Sequence, residues 1–336
     1  MAEGKTPRPD TVRLQGLANA HWQAALLHVC VELDLFTVIA RGADTAERVA
    51  AATRLSPLNA ERLLAGALAL GLVERQAGRL RNATDVERFL VTGSPSYAGP
   101  WMLFNKPRWA EWGNLAEHLR DAQAERIGRH VRFDVDEARA YHAATFSIGL
   151  GAGRRFVRQV DLRGRRRLMD LGGGSGAYCI ASLQAHPELT AVVLDLPPVV
   201  VVAREYIARH GLGDRLSAQP CDFTADALPA DADVVVMASN LPQYGPRIIA
   251  AVVAKVFRAL LPGGEFHLIG EMLNADGIGP PGPAMWGLNE ALSHSTGRAH
   301  SVAECLDYLR NAGFVETGAT EFVPQTLTRV IGRKPG

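Results

Sequence analysis

The densest chemical signal in the chain is Asp170-Leu-Gly-Gly-Gly-Ser-Gly176, an acid that runs into glycines at 172, 173, 174 and 176. Glycine opens dihedrals closed to other residues and lets a ligand reach the main chain with no Cβ in the way. The apolar run before it and the helical-looking Tyr178-Cys-Ile-Ala-Ser-Leu183 after it make the stretch a strand, a tight turn and a helix. Such a helix N-terminus suits a polar or negatively charged ligand group. The spacing is not Gly-x-Gly-x-x-Gly, and no Gly-Lys-Ser/Thr follows. A second acid, Asp195, closes the β-rich run Thr190-Ala-Val-Val-Leu-Asp195. It lies about twenty residues beyond the glycines, where an α/β sheet presents a carboxylate to ribose hydroxyls. A third acid stands beside an aromatic in Cys221-Asp222-Phe223. The glycines alone also fit a turn that holds nothing; the downstream acids favour a ligand.

Further along, Ser239-Asn-Leu-Pro-Gln-Tyr244 and Gly297-Arg-Ala-His300 place polar side chains in turn-like segments. Trp112 and a helical stretch over 134–155 carrying Tyr141, His142, Phe146 and Ser147 concentrate aromatic and polar groups ahead of the glycines. Taken one at a time, those residues fit an interdomain core as well as a pocket. The four cysteines (Cys30, Cys179, Cys221, Cys305) show no Cys-x-x-Cys spacing, so neither a metal site nor a disulfide framework is expected.

These groups need a scaffold. Asp233-Val-Val-Val-Met237 and Glu265-Phe-His-Leu-Ile-Gly-Glu271, the second preceded by Leu261-Pro-Gly-Gly264, read as two further strands. Upstream, residues 11–31 have apolar Leu14, Leu17, Ala18, Trp22, Ala25, Leu26 and Val29 at helical spacing, a broad face that wants a partner. Thr45 and Ser56 stand as N-caps, the second followed by Pro57 at the first helical position. Gly71 to Arg81 reads as a small β-wing, completing a winged-helix order. The second helix, Asn59-Ala-Glu-Arg-Leu-Leu-Ala-Gly-Ala-Leu, has one arginine among apolar neighbours, whereas a recognition helix needs polar and basic residues at base edges. Dimerisation is the expected use, and a DNA-binding regulator the alternative. At 336 residues and a net charge of +1, the chain has room for two domains and no electrostatic case for nucleic acid or a membrane surface. The basic run Arg163-Gly-Arg-Arg-Arg167 reads as a solvated turn. No leader or membrane-spanning run is evident, so a cytosolic location is expected.

Acid, glycine loop, acid and acid-aromatic in this order resemble the class I S-adenosylmethionine-dependent methyltransferases over roughly residues 140–336. With the N-terminal arrangement, the chain is similar to the acetylserotonin and caffeate O-methyltransferase family over nearly its whole length. The resemblance implies an α/β, Rossmann-like class I methyltransferase sheet behind an N-terminal winged-helix dimerisation domain. The expected division is residues 1–105 for dimerisation and 106–336 for catalysis, in a homodimer. It implies S-adenosyl-L-methionine as cofactor, S-adenosyl-L-homocysteine as product, and no metal. Cofactor contacts fall on Ser147, Asp170, Gly172, Gly174, Asp195, Leu196, Asp222, Phe223 and Ser239. By its place before Gly149-Leu-Gly, Ser147 resembles the serine that meets the cofactor carboxylate. A small acceptor would lie among Trp112, Tyr141, His142, Gln243, Tyr244, Trp286, Asn289, His294 and Arg298, with Gln243, Tyr141 and His142 nearest the chemistry.

Two departures bear on that chemistry. The family carries its catalytic histidine in an Asn-x-x-His segment, and here Gln243 takes that place; the acid of the family's Gly-Lys-Glu-Arg aligns with Ala299. A carboxamide takes no proton at neutral pH. Methyl transfer from a sulfonium is largely in-line alignment with water excluded, and a thioether sulfur attacks through its own lone pair. S-methylation is therefore the expectation, and the chain resembles the methylthiohydroxybutyrate S-methyltransferases of dimethylsulfoniopropionate synthesis. Tyr141, His142, Gln243, Tyr244, His294 and Arg298 would meet the acceptor's carboxylate and hydroxyl, with Trp112 and Trp286 as walls. O- or C-methylation of a small aromatic with His142 or His294 as a displaced base, and a non-methylating decarboxylase or pericyclase relative, stay open.

Overall fold

A computed structural model describes residues 9–120 and 134–336. The chain divides into two compact units between Pro107 and Arg108. In the first, helices α1 (Val12–Ala18), α2 (Ala20–Glu32), α3 (Leu35–Ala40), α4 (Ala46–Thr53) and α5 (Pro57–Ala69) lead to a hairpin of β1 (Val73–Gln76) and β2 (Arg79–Asn82), then α6 (Thr84–Leu90) and α7 (Gly99–Met102). The single helix expected over 11–31 is broken at Asn19, whose backbone (φ −100°, ψ 3°) leaves helical geometry. Thr45 and Ser56 cap α4 and α5 by accepting from Arg48 N at 3.4 Å and Asn59 N at 3.3 Å. Ala77 and Gly78 both take positive φ (50° and 77°), the pairing a two-residue hairpin turn requires. Cys30, Leu35, Phe36, Val49, Leu64 and Val73 form the core of this unit. By contrast α1 buries nothing, and Leu14, Leu17 and Trp22 stay exposed.

The second unit opens with α8 (Trp109–Gly113), α9 (Leu115–Arg120) and the 25-residue α10 (Val135–Gln159). Asp134 and Glu137 close a reciprocal capping box on α10. There follow β3 (Arg167–Leu171), α11 (Ala177–Ala185), β4 (Thr190–Asp195), α12 (Pro197–Arg209), β5 (Leu216–Pro220), β6 (Ala232–Ala238), α13 (Pro246–Ala259) and β7 (Leu260–Gly270). The chain ends with β8 (Met272–Leu273), α14 (Pro281–Asn289), β9 (His300–Ser301), α15 (Val302–Ala312), β10 (Val315–Val323) and β11 (Leu327–Arg333).

Seven strands form one sheet in the order β10-β11-β7-β6-β3-β4-β5, with β5 through β7 parallel and β11 antiparallel to β7. Alternate residues feed opposite layers, as the strand period demands. Leu168, Val234 and Val236 pack with α10, α11 and α12, while Met169, Leu171, Val235 and Met237 pack with α13 and α15. The chain winds from β3 to β5 in one direction and resumes at β6 on the other side of β3. The switch point therefore lies between β3 and β6, and the crevice beyond their carboxyl ends is where such sheets bind ligands. Helix α10 lies close on α11: a Cβ at Gly153 would stand 2.8 Å from the carbonyl oxygen of Ala177.

Two expectations are revised. Strand β7 begins at Leu260, five residues before Glu265, and takes in the Pro-Gly-Gly turn. The basic run is not simply solvated, because Arg165 pairs with Glu265 at 2.6 Å with only 18% of its side chain exposed, and Arg167 pairs with Asp231 at 2.9 Å.

Candidate active site

The loop leaving β3 is built around Asp195. Gly172 and Gly174 sit in the left-handed region (φ 61° and 58°), which turns the Gly174 amide onto Asp195 Oδ2 at 2.8 Å. The Leu196 amide donates to the other carboxylate oxygen at 2.7 Å. Despite both donors, burial lifts the Asp195 carboxyl to about 6. Asp170 lies beneath the loop, 1% exposed, and a Cβ at Gly173 would fall 2.5 Å from its carboxyl carbon. Burial, and then the charge of Asp195, raise Asp170 to about 7. Phe223 and Asn240 close on Gly172, where a Cβ would meet them at 3.0 and 2.7 Å. The ring of Phe223 stands edge-on to Tyr244 at 5.4 Å.

The loop leaving β6 supplies the facing wall. Ser239 takes a left-handed turn (φ 57°) and is exposed, donating its amide to Ile269 O at 2.9 Å. Asn240 then donates Nδ2 to the carbonyls of Leu171 (3.3 Å), Gly172 (3.1 Å) and Ala238 (3.0 Å). Its Oδ1 accepts from Gln243 Nε2 at 3.4 Å, which orients the buried carboxamide at the end of a short 3-10 turn. On the other side Ser295 Oγ donates to Gln243 O at 3.0 Å. His300, fully buried, donates Nε2–H to Tyr244 O at 2.8 Å and meets Tyr308 Oη through Nδ1 at 3.1 Å. A carbonyl can only accept, so this bond fixes the neutral tautomer, and burial lowers the imidazole further. Tyr244's phenol is pushed up by burial.

His142 on α10 packs its imidazole against the glycine loop: a Cβ at Gly174 would lie 2.4 Å from His142 Cε1. Its ring stands edge-on to Tyr141 at 5.1 Å, and burial lowers it to about 4. Trp112 and Trp286 are half-buried on α8 and α14.

Several side chains expected at the ligand are committed elsewhere. Arg298 pairs with Glu304 and donates to Ala299 O at 2.7 Å, bracing the start of α15. Buried Asn289 accepts from Arg108 Nη1 at 3.2 Å, and Arg108 Nη2 also reaches Ser293 Oγ at 3.2 Å. Asp222 Oδ1 accepts from the Thr224 amide and hydroxyl at 2.9 and 2.6 Å, a local turn that leaves only its second oxygen for a ligand. Ser147 stands half-buried on α10, two residues before Gly149, whose Cβ position would meet Ala177 of α11 at 3.2 Å. His294 takes φ 49° and lies 5.7 Å, ring to ring, from His118. Ala299, at the place of the family's acid, packs close against α14: a Cβ at Gly287 would be 2.6 Å from Ala299 Cβ. The sequence reading passed over Asn240, Ser295, Arg108 and His118. Asn240 alone carried a signal there, a polar residue between a strand end and a Leu-Pro turn.

A glycine cradle that any Cβ would fill, and a carboxylate held ready by two amides, fit a nucleoside with an attached amino acid. Comparisons agree. The O-methyltransferase domain model matches residues 112–315, and the O-methyltransferase dimerisation domain matches residues 15–93. The chain is 32% identical to the 3-hydroxy-5-methyl-1-naphthoate 3-O-methyltransferase of Streptomyces sahachiroi over 95% of its length and 93% of the relative's. It is 30% identical to the N,N-dimethyltransferase OxyT of Streptomyces rimosus, covering 89% of both chains. Its fold matches human N-acetylserotonin methyltransferase solved with S-adenosylmethionine (TM-score 0.82, 24% identity, 99% and 100% of the two chains). Glycine loop, amide-held acid and both matched domains thus converge on one conclusion: the chain belongs to the O-methyltransferase family with its dimerisation domain, and is an S-adenosylmethionine-dependent methyltransferase acting on small molecules.

Proposed function

We propose that the acceptor is a small molecule whose nucleophilic atom attacks through a neutral lone pair, with a thioether sulfur of the 4-methylthio-2-hydroxybutyrate type as the favoured case. Gln243 is the observation that carries this reading. Its carboxamide is buried, oriented by Asn240 and unable to take a proton at neutral pH. Two imidazoles do not replace it: His300 is sealed between Tyr244 O and Tyr308, and burial lowers His142 to about 4. Bound S-adenosylmethionine supplies a methyl group already activated by its sulfonium. The chain's residues then bind and align. Asp195 would hold the ribose hydroxyls, Gly172 and Gly174 would admit the methionine portion, and Phe223 would flank the adenine. Gln243 would orient the acceptor, while Trp112 and Trp286 would exclude water and favour a cationic product. The dimerisation domain and the exposed apolar face of α1 and α2 support a homodimer.

Methylation of an aromatic hydroxyl is the second reading, favoured by the naphthoate O-methyltransferase relative. The neighbouring His118 and His294 rings would then supply the base. The two readings separate when wild type and Gln243→His are assayed side by side, by mass spectrometry, against methylthio acids, amines and catechol-like phenols. Wild type turning over a thioether or amine fastest, with no gain from the new histidine, supports the lone-pair reading. Phenols outrunning every thioether and amine overturn it.

A further inference from the structure

His142 was expected beside the acceptor, but its surroundings point to the other ligand. Its residue is 7% exposed, and its ring lies flush on the glycine loop, so close that a single methyl group on Gly174 would overlap it. Its carbonyl accepts from Tyr206 Oη at 3.3 Å, and Tyr141 covers one edge of the ring. Among the described residues no hydrogen bond from either ring nitrogen is found, and neither nitrogen is fully buried, so the ring edge keeps access to the space beside the loop. A largely buried side chain that keeps unbonded, reachable nitrogens beside a ligand loop has a donor and an acceptor to offer the ligand.

The loop also shows which part of the ligand is near. Gly174 spends its amide on Asp195, the acid placed for ribose, so the loop on which His142 rests is the stretch that runs from the ribose towards the start of α11. A ligand continuing from the ribose along that loop offers its amino-acid end, with an ammonium that must donate and a carboxylate that must accept. A neutral imidazole offers one acceptor and one donor nitrogen and meets either group.

We infer that His142 is a cofactor-binding residue that holds the amino-acid end of S-adenosylmethionine, and that it does not touch the acceptor. This inference is independent of which acceptor atom is methylated. It predicts a dependence on ligand chemistry that a packing role would not produce. S-adenosylhomocysteine carries the amino-acid end, and 5′-methylthioadenosine keeps the nucleoside and thioether but lacks it.

Calorimetric titration of the full chain with both ligands provides the test. His142→Ala should weaken S-adenosylhomocysteine binding about tenfold or more, the size of one hydrogen bond to a charged group, and leave methylthioadenosine binding unchanged. His142→Phe keeps a ring on Gly174 without nitrogens and should show the same selective loss. His142→Gln, which restores a donor and an acceptor, should recover most of it and covers the case in which the smaller side chain unfolds the protein. Equal weakening of both ligands in these variants, or no weakening of S-adenosylhomocysteine, overturns the assignment. Because wild-type binding is measured first and no methyl transfer is read, a failed acceptor assignment cannot be mistaken for a failed His142 assignment.

Discussion

In the proposed ribose-binding role Asp195 must be ionised, yet burial raises its carboxyl to about 6 in the free chain. Affinity for S-adenosylhomocysteine should therefore fall as pH drops through about 6, and Asp195→Ala should bind at least about tenfold more weakly at pH 7.5; pH-independent affinity, or an unweakened variant, would remove the assignment. Stability runs the opposite way. A carboxyl whose folded pKa is raised favours the fold when protonated, so the folded state holds more protons than the unfolded one between about pH 4 and 6. Its contribution declines as pH rises through that window, by about 3 kcal/mol for this shift. The melting temperature of Asp195→Asn should accordingly gain on wild type between pH 4.5 and 7.5, and a constant difference would exclude the mechanism. At this scale the sequence was legible where backbone chemistry spoke. Glycines after an acid, and an acid at a strand end, locate the loop because few other uses require them. The partners of Arg298 and Asn289 were not legible, because a cation or amide in a sequence says nothing about Glu304 or Arg108, which the fold brings beside them.

Among the elements, the short segment from Ser295 to Gly297 does more than its length suggests. It braces the Gln243 turn through Ser295 Oγ, and the Gly297 amide returns to that same oxygen at 2.9 Å. A Cβ at Gly297 would stand 2.2 Å from Pro242 O, so Gly297→Ala must move one strand of this contact. Turnover should fall at least about tenfold, since small misplacements of an aligned group are expensive in rate, while S-adenosylhomocysteine affinity stays unchanged. Loss of both together would show that the brace supports the whole site. The strands from β3 to β7 were readable from apolar runs ending in acids or glycines. The break at Asn19 was not, because apolar periodicity continues across it, and the 3-10 turn at Leu241–Gln243 depends on bonds from Asn240 and Ser295 that are distant in sequence.

For the molecule as a whole, the first unit presents Val12 (71% exposed), Leu17 (63%) and Trp22 (63%) on helices that bury little of their own surface. A second copy of the same domain is the partner that the dimerisation family supplies. Obligate interfaces of this kind commonly bury more than ~2,000 Å², so light scattering should report a dimer at micromolar concentration, and Leu17→Glu with Trp22→Glu should release monomers. A wild-type monomer would contradict the proposal. No helix among the described residues is long and apolar enough to cross a membrane. The Asn240 amide, finally, sets limits on how this enzyme can change its preferences. Because one side chain ties the carbonyls of Leu171 and Gly172 to the Gln243 carboxamide, a substitution there would, on the proposed site, alter grip on the cofactor and presentation of the acceptor in the same stroke. On the proposed site, variation towards new acceptors would then fall to α8, α9 and α14, which carry Trp112, His118 and Trp286. A library that randomises those helices and spares residue 240 should retain cofactor binding in most members, and one that includes it should not.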